Sequence, residues 1–282
     1  MQTTGLQRNT KDKYYTKPNI VNACLHIIKE RVGIQNNDVI IEPSAGNGAF
    51  SDPLTQSYKT VLAYDIEPDN DEIIQQDYLT FDASAIREKY DKIHIIGNPP
   101  FGRQSSLARK FVKKSCEFCD TLSFILPKSF KKDSFQKTFP LHFHLVYQAD
   151  LPEKSFQVNA TDHDVPCVFQ IWIKKDESRP VKEKLCPTYY SFVKKDGGGD
   201  ISIRRVGVYA GKISTEIDSK SPQSHYFIRL KGEINVDMFV DEYNKKVRFD
   251  HENTVGPKSI SKQELIVTLN ALFNLLIQGD EA

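Results

Sequence analysis

Val39-Ile40-Ile41-Glu42-Pro43-Ser44-Ala45-Gly46-Asn47-Gly48-Ala49-Phe50 runs from an apolar segment into a turn with two glycines. The β-branched residues at its start read as a short buried strand. A strand ending in Gly-x-Gly is the entry to a nucleotide site in doubly wound α/β domains, because glycine takes positive φ and lets a ligand approach the backbone. The stretch is not the dinucleotide fingerprint, since Ser51 stands where a third glycine is expected. Nor is it a P-loop, since no Gly-Lys-Ser/Thr follows. Glu42, ahead of the glycines, would repel a pyrophosphate and attract an ammonium group. That sign of charge points to a ligand bearing an amino acid rather than a phosphate.

Further along, Thr60-Val61-Leu62-Ala63-Tyr64 reads as a second strand and ends at Asp65-Ile66-Glu67-Pro68. An acid at a strand end, about twenty residues past the glycine turn, is where α/β nucleotide sites hold ribose hydroxyls. Asp65 fits that role, whereas alternation would turn Glu67 to the other face. Gln75-Gln76-Asp77-Tyr78 adds an acid and an aromatic ring, a pair able to hold and cover an adenine. Taken singly, each acid also reads as a solvated side chain.

Ile93-His94-Ile95-Ile96-Gly97 reads as a third buried strand and delivers Asn98-Pro99-Pro100-Phe101. The Asn98 amide carbonyl can accept a hydrogen bond from an amino group. The prolines fix the backbone, so that Pro99 offers a carbonyl oxygen at a set angle. Phe101 supplies a flat apolar face for a planar ring. Together the four residues suit gripping a flat heterocycle by its exocyclic amine. Alone, they also read as a strand ending in a Pro-Pro turn.

Tyr14-Tyr15-Thr16-Lys17-Pro18, then Glu42 to Gly48, then Asn98-Pro99-Pro100-Phe101 stand in an order that resembles the S-adenosylmethionine-dependent amino-methyltransferases, in particular the adenine-N6 enzymes of the γ arrangement. The resemblance covers residues 13–174. It implies an α/β, Rossmann-like class I methyltransferase fold with a seven-stranded mixed sheet, and S-adenosylmethionine as cofactor. Carried onto this chain, it implies that Tyr15, Thr16 and Pro18 border the methionine end of the cofactor, with Glu42, Ser44, Gly46 and Gly48 forming the loop beneath. Asp65 would bind the ribose hydroxyls, Asp77 the adenine amine, and Ile66 or Tyr78 the adenine faces. Asn98 would touch both the cofactor and the target amine, which the Pro99 carbonyl also holds. Pro100 completes the catalytic turn, and Phe101 would stack on the target ring. Asn-Pro-Pro-aromatic motifs also resemble those of some ribosomal-RNA base methyltransferases and of enzymes that methylate glutamine side-chain amides.

The chain has 282 residues, 39% hydrophobic and 27% charged, enough for one sizeable domain and a smaller one. The expected division is a catalytic domain over residues 1–178 and a small α+β C-terminal region over 179–282, a possible target-recognition domain. Lys174-Lys175-Asp176-Glu177-Ser178-Arg179-Pro180 reads as the linker. No apolar stretch reaches the length of a membrane span, and the start Met1-Gln2-Thr3-Thr4 is no secretory signal, so no membrane partner is expected. Five cysteines at irregular spacing suit a reducing intracellular compartment, cytoplasmic or nuclear. Cys116 and Cys119 read as helix packing residues rather than metal ligands, so no metal is expected. Pro166-Cys167 starts an apolar run and reads as core strand rather than a nucleophile.

The net charge of +1 is unevenly spread. From Arg103 to Lys137 bases outnumber acids, which suits either a phosphate-facing rim or a solvated helix face. Ser105–Phe118 reads as a helix, and Thr121–Leu126, Leu145–Ala149 and Val165–Ile173 as strands. A second aromatic against the target ring is expected between the last two strands, and Phe156 is the candidate. In the C-terminal region, Ile201–Val208 and Tyr226–Leu230 read as strands and Lys262–Leu276 as an amphipathic helix. The expected activity is methyl transfer to adenine N6 in nucleic acid, DNA before RNA. The rivals are a structured-RNA methyltransferase, a protein-glutamine methyltransferase and an inactive nucleic-acid-binding subunit.

Overall fold

The computed structural model describes residues 14–158, 160–181, 183–249 and 258–279. Met1-Gln2-Thr3-Thr4 lies outside the described residues. Backbone contacts divide the chain into two compact units, residues 1–181 and 182–282.

In the first unit the elements follow as β1 (Tyr15–Thr16), α1 (Pro18–Arg31), β2 (Val39–Glu42), α2 (Ser51–Ser57), β3 (Val61–Asp65), β4 (Ile74–Gln75), α3 (Ser84–Lys89) and β5 (Ile93–Gly97). There follow α4 (Ser106–Cys116), β6 (Thr121–Pro127), α5 (Asp133–Gln136), β7 (Phe143–Asp150), β8 (Phe156–Val158), β9 (Thr161–His163) and β10 (Cys167–Lys174). Seven strands make one mixed sheet in the order β4-β3-β2-β5-β6-β10-β7. The first five are parallel, and β10 runs antiparallel between β6 and β7. This is the seven-stranded, Rossmann-like sheet that the resemblance implies.

Central strands β2, β5 and β6 are buried along their whole length. Parallel strands covered on both faces read as continuous apolar runs, which is why Val39-Ile40-Ile41 and Ile93-His94-Ile95-Ile96 carry so little polarity. α1 starts at Pro18, whose fixed φ and missing N–H suit a first helical position. Its Ile20, Val21, Cys24 and Ile28 pack with Leu54 of α2 against Ile40, Ile96 and Ile125. Ala108, Phe111 and Val112 of α4 cover the other side with Val39, Ile41 and Leu122. Each fully buried aliphatic side chain contributes roughly 1.5–3 kcal/mol. From β2 the sheet grows toward β3, and from β5 toward β6. The crevice at the ends of β2 and β5 is therefore the switch point where such sheets bind ligands.

Two features differ from expectation. Residues 156–163, for which no strand was expected, form the β8–β9 hairpin, and β1 pairs onto β8 through Tyr15–Gln157 and Thr16–Phe156. The segment 174–180, expected as a linker, is strapped to the first unit. The Arg179 guanidinium donates to the carbonyls of Phe143, Gln136 and Phe139 and sits 5.4 Å from the Trp172 ring.

The second unit holds β11 (Tyr190–Val193), β12 (Ile201–Arg204), β13 (Ile213–Ser214), β14 (His225–Leu230), α6 (Val236–Lys246) and α7 (Lys262–Gly279). Its antiparallel sheet, β11-β14-β12-β13, buries Ile201, Ile203 and Ile228 with Phe239, Leu269 and Phe273 of the helices. The strand expected over Ile201–Val208 stops at Arg204, ahead of Gly207, whose φ is +92°. Helix α6 was not anticipated, although Asn235 caps it by accepting the Met238 N–H. Among the described residues, no helix is long and apolar enough to cross a membrane.

Candidate active site

A cavity of about 790 Å³ opens at the ends of β2, β3 and β5. Residues 14–16, 42–47, 65–67, 76–79 and 98–103 form most of its wall. Tyr15, Thr16, Glu42, Ser44, Gly46, Asp65, Ile66, Asp77, Tyr78 and Asn98 to Phe101 all line it. Pro18, Gly48 and Phe156 do not.

Asn98 is held from three sides. Its Nδ2 donates to the Tyr14 carbonyl (3.3 Å) and to the Thr16 hydroxyl (3.2 Å), while Ser44 Oγ donates to its backbone carbonyl (3.2 Å). A carbonyl can only accept, so the amide nitrogen must face Tyr14. Oδ1 is thereby fixed on the opposite side, buried and without a hydrogen-bond partner. Leaving a buried acceptor unpaired costs about 1–3 kcal/mol. Asn98 thus carries an oriented, buried acceptor without a partner.

The glycine turn is bound to the end of β3. Gly46, at φ +56°, donates its N–H to Asp65 Oδ2 (2.8 Å), and Glu67 donates its N–H to Asp65 Oδ1 (2.8 Å). Each carboxylate oxygen has a further lone pair for a ligand hydroxyl. Tyr15 closes over this turn: its hydroxyl donates to Asp69 Oδ2 (2.5 Å), and burial together with Asp69 pushes the phenol up to about 12. A Cβ added to Gly46 would come within 3.3 Å of the Tyr15 ring.

Glu42 is buried, and its Oε2 accepts the Ser51 N–H at the start of α2 (2.7 Å). Burial pushes its carboxyl well above the ordinary range, Asp52 and Asp65 add to that, and the Ser51 hydrogen bonds oppose it. Burial thus favours the neutral form of a group expected as a ready anion.

Several expectations need correction. Gly48 serves the turn and not the cavity: at φ +89° an added Cβ would lie 2.4 Å from Asp52 Oδ1. Pro18 is exposed as the first residue of α1. Phe156 is fully buried between β1 and β9, edge-on to Tyr14 with ring centres 6.3 Å apart, and cannot stack on a target ring. It props Tyr14 instead. Tyr78 reaches the cavity wall, yet it is 2% exposed, stacks on Phe111 and shares a 2.9 Å hydrogen bond with Ser115 Oγ. Exposed Ile66 is the freer apolar face. Cys167, by contrast, lies in the core on β10 as expected, where burial pushes its thiol up.

Tyr14, Glu67 and Arg103 are among the cavity residues that the sequence reading missed. Tyr14 was quoted only as motif context. Glu67 lines the cavity because the strand ends at Asp65 and alternation no longer applies. Arg103 lies exposed at the cavity after Gly102. The rest of the basic rim is partly neutralised. Lys128 and Lys131 pair with Asp150 (3.1 and 3.0 Å), and Lys114 pairs with Glu117 (3.0 Å).

No protein-family model matches the chain. Over 90 residues, 29% of its length, it is 38% identical to type II methyltransferase M.HincII of Haemophilus influenzae. It is 25% identical over 157 residues, 47% of its length, to ribosomal RNA small subunit methyltransferase A of Cupriavidus metallidurans. These matches span 17% and 55% of the two relatives. Among solved structures, the 23S rRNA methyltransferase ErmE aligns at 15% identity with a TM-score of 0.42, over 60% of this chain and 72% of that one. At that score the likeness carries no weight, and the fold rests on the strand order itself. Strand order and crevice define the class: a Rossmann-like, class I methyltransferase fold. Within it, the segment of highest identity is shared with type II methyltransferases, of which the match spans less than a fifth.

Proposed function

We propose that the chain transfers a methyl group from S-adenosylmethionine to the exocyclic N6 of adenine in nucleic acid, with DNA placed before RNA. The observation that carries the reading is Asn98 Oδ1, an oriented, buried and unpaired acceptor in a cavity wall that also holds Phe101. An amino group on a flat ring supplies the missing donor and the surface for stacking.

The donor set fits the cofactor. Asp65, Glu67 and Asp77 give the wall a sign opposite to a sulfonium and an ammonium. Thr16, Ser44 and Gly46 border the methionine end beside Glu42, with Tyr15 closing over it. Asp65 takes the ribose hydroxyls through its remaining lone pairs, Asp77 the adenine amine, and Ile66 an adenine face. When bound, the cofactor supplies an electrophilic methyl group on sulfur.

The chain's own residues do the rest. A nucleobase amine is a poor nucleophile because its lone pair is delocalised into the ring. Asn98 Oδ1 and the Pro99 carbonyl, accepting its two hydrogens, favour a pyramidal nitrogen with the lone pair aimed away from them. Such positioning can supply several kcal/mol of the barrier, of the roughly 7–11 that proximity can provide. No dedicated base is required, since the nitrogen proton becomes acidic once the nitrogen is alkylated. In a duplex the base must first be extruded, and stacking on Phe101 offsets part of that cost.

DNA is placed first because the segment of highest identity is shared with a type II methyltransferase. The longer match to a ribosomal RNA methyltransferase favours structured RNA as the second reading. The test is transfer of labelled methyl from S-adenosylmethionine to duplex DNA, single-stranded DNA and total RNA, with products digested to nucleosides. N6-methyladenine in one polymer supports the reading. Cofactor binding with no label in any polymer defeats it.

A further inference from the structure

In the second unit, Arg204-Arg205-Val206-Gly207-Val208-Tyr209-Ala210-Gly211-Lys212 joins β12 to β13. At its tip Val208 and Tyr209 are 77% and 65% exposed. Two adjacent apolar side chains so exposed gain nothing from folding. Their backbone is nevertheless closely held. Arg204 donates its N–H to the Lys212 carbonyl (2.9 Å), Gly211 to that of Arg204 (2.7 Å) and Gly207 to that of Lys258 (2.9 Å). The Tyr243 hydroxyl donates to the Gly211 carbonyl (2.7 Å), and Ala210 is buried beneath the turn. Gly207 and Gly211, at φ +92° and +95°, permit the reversal. The tip is thus displayed by a built turn.

Cations surround it. Arg204 and Arg205 stand at its start, Lys212 at its end, and Lys258 is bonded to its backbone. Among the described residues, none of the four pairs with a carboxylate. Arg204 spends its Nε on the Val206 carbonyl (3.0 Å), which fixes its guanidinium beside the turn, whereas Arg205 bonds the Gln223 carbonyl (3.1 Å) and lies over the Tyr226 ring, 5.7 Å from its centre. An exposed aromatic ring flanked by unneutralised cations matches a polyanion with flat apolar faces. Two apolar residues fall far short of the roughly 800 Å² per partner that a stable protein interface buries.

We infer that this turn is a second nucleic-acid contact, in which Tyr209 stacks on a base and Arg204, Lys212 and Lys258 face phosphates. The inference rests on the nucleic-acid reading of the cavity and adds a surface that the reading does not contain.

The test uses the full chain and fluorescein-labelled duplex and single-stranded DNA, read by anisotropy across a salt series. Tyr209→Ala should weaken binding about tenfold, and Tyr209→Phe should bind as the parent does. Lys212→Ala and Lys258→Ala should each lower the salt slope by about 1. Thermal melts of all variants should match the parent, since the side chains exchanged are exposed. If the parent binds and none of the variants differs from it, the inference is overturned. A parent that binds neither polymer, in buffers where it binds S-adenosylmethionine, defeats the underlying reading instead. Binding to phosphatidylserine vesicles but not to nucleic acid, lost in Tyr209→Ala, would also overturn the inference.

Discussion

Asn98 and Thr16 lie 82 positions apart and are joined by a 3.2 Å hydrogen bond from the Asn98 side-chain nitrogen to the Thr16 hydroxyl. The aromatic-Thr-x-Pro segment and the Asn-Pro-Pro-Phe segment are therefore parts of one device. β1 carries Thr16 to the cavity by pairing with β8. Thr16 fixes which way the Asn98 amide faces, and so where its unpaired oxygen points.

Thr16→Val removes that acceptor and keeps the side-chain shape. A typical hydrogen bond contributes about 0.5–1.5 kcal/mol, so turnover should fall roughly three- to tenfold at saturating cofactor. Thr16→Ser should recover most of it. Steady-state kinetics that separate kcat from the cofactor KM check this. A change confined to KM would mean that Thr16 serves only the cofactor.

Glu42 makes cofactor binding depend on pH. Burial holds its folded-state pKa well above the ordinary value, so the neutral acid persists as pH rises past the usual carboxyl range. A cationic ligand favours the ionised form. Affinity should therefore increase as pH rises through that raised pKa, with a proton released on binding. Calorimetry in two buffers of different ionisation heat measures the release. Glu42→Gln should abolish it and flatten the pH dependence.

Gly48→Ala should destabilise the first unit by about 1–2 kcal/mol, the cost of a left-handed backbone for a residue with Cβ. The added methyl would also press on the Asp52 carboxylate, the movable end of a side chain. Denaturant melts give the stability, and cofactor titration of the folded variant should show near-parent affinity, because Gly48 lies off the cavity wall.

His94 is buried on β5, with Nε2 3.1 Å from Asp38 and Nδ1 2.8 Å from Thr121 Oγ1. Burial lowers its pKa below 6.5 despite the pull of Asp38. The unfolded chain takes up a proton as pH falls through about 6.5 while the folded chain resists. Stability should then be full above that pH and decline below it, with a slope approaching about 1.4 kcal/mol per pH unit for one proton. His94→Gln should remove this slope from chemical denaturation curves collected between pH 5 and 8.

The sheet was legible because parallel strands buried on both faces leave continuous apolar runs, and because Gly46 and Asn98 punctuate their ends. Most of the cavity wall followed from that, since both motifs sit at strand ends beside the switch point. What escaped depended on pairing between distant segments. The Phe156 ring reads like an available aromatic until β1 and β9 are seen to enclose it. Arg179 reads as linker until three carbonyls are found around its guanidinium. Glu67 was misjudged by extending strand alternation past the strand's last residue. The orphaned Asn98 oxygen is a property of three-dimensional hydrogen bonding that no local pattern encodes.

The most direct test of the central claim is Asn98→Ala, assayed for both cofactor binding and methyl transfer. Calorimetry should show S-adenosylmethionine affinity within a fewfold of the parent. N6-methyladenine in digested substrate should fall at least a hundredfold, in line with removal of a group that stabilises the reacting atoms. Parent-like turnover in Asn98→Ala would contradict the account, because the unpaired oxygen would then hold no target amine.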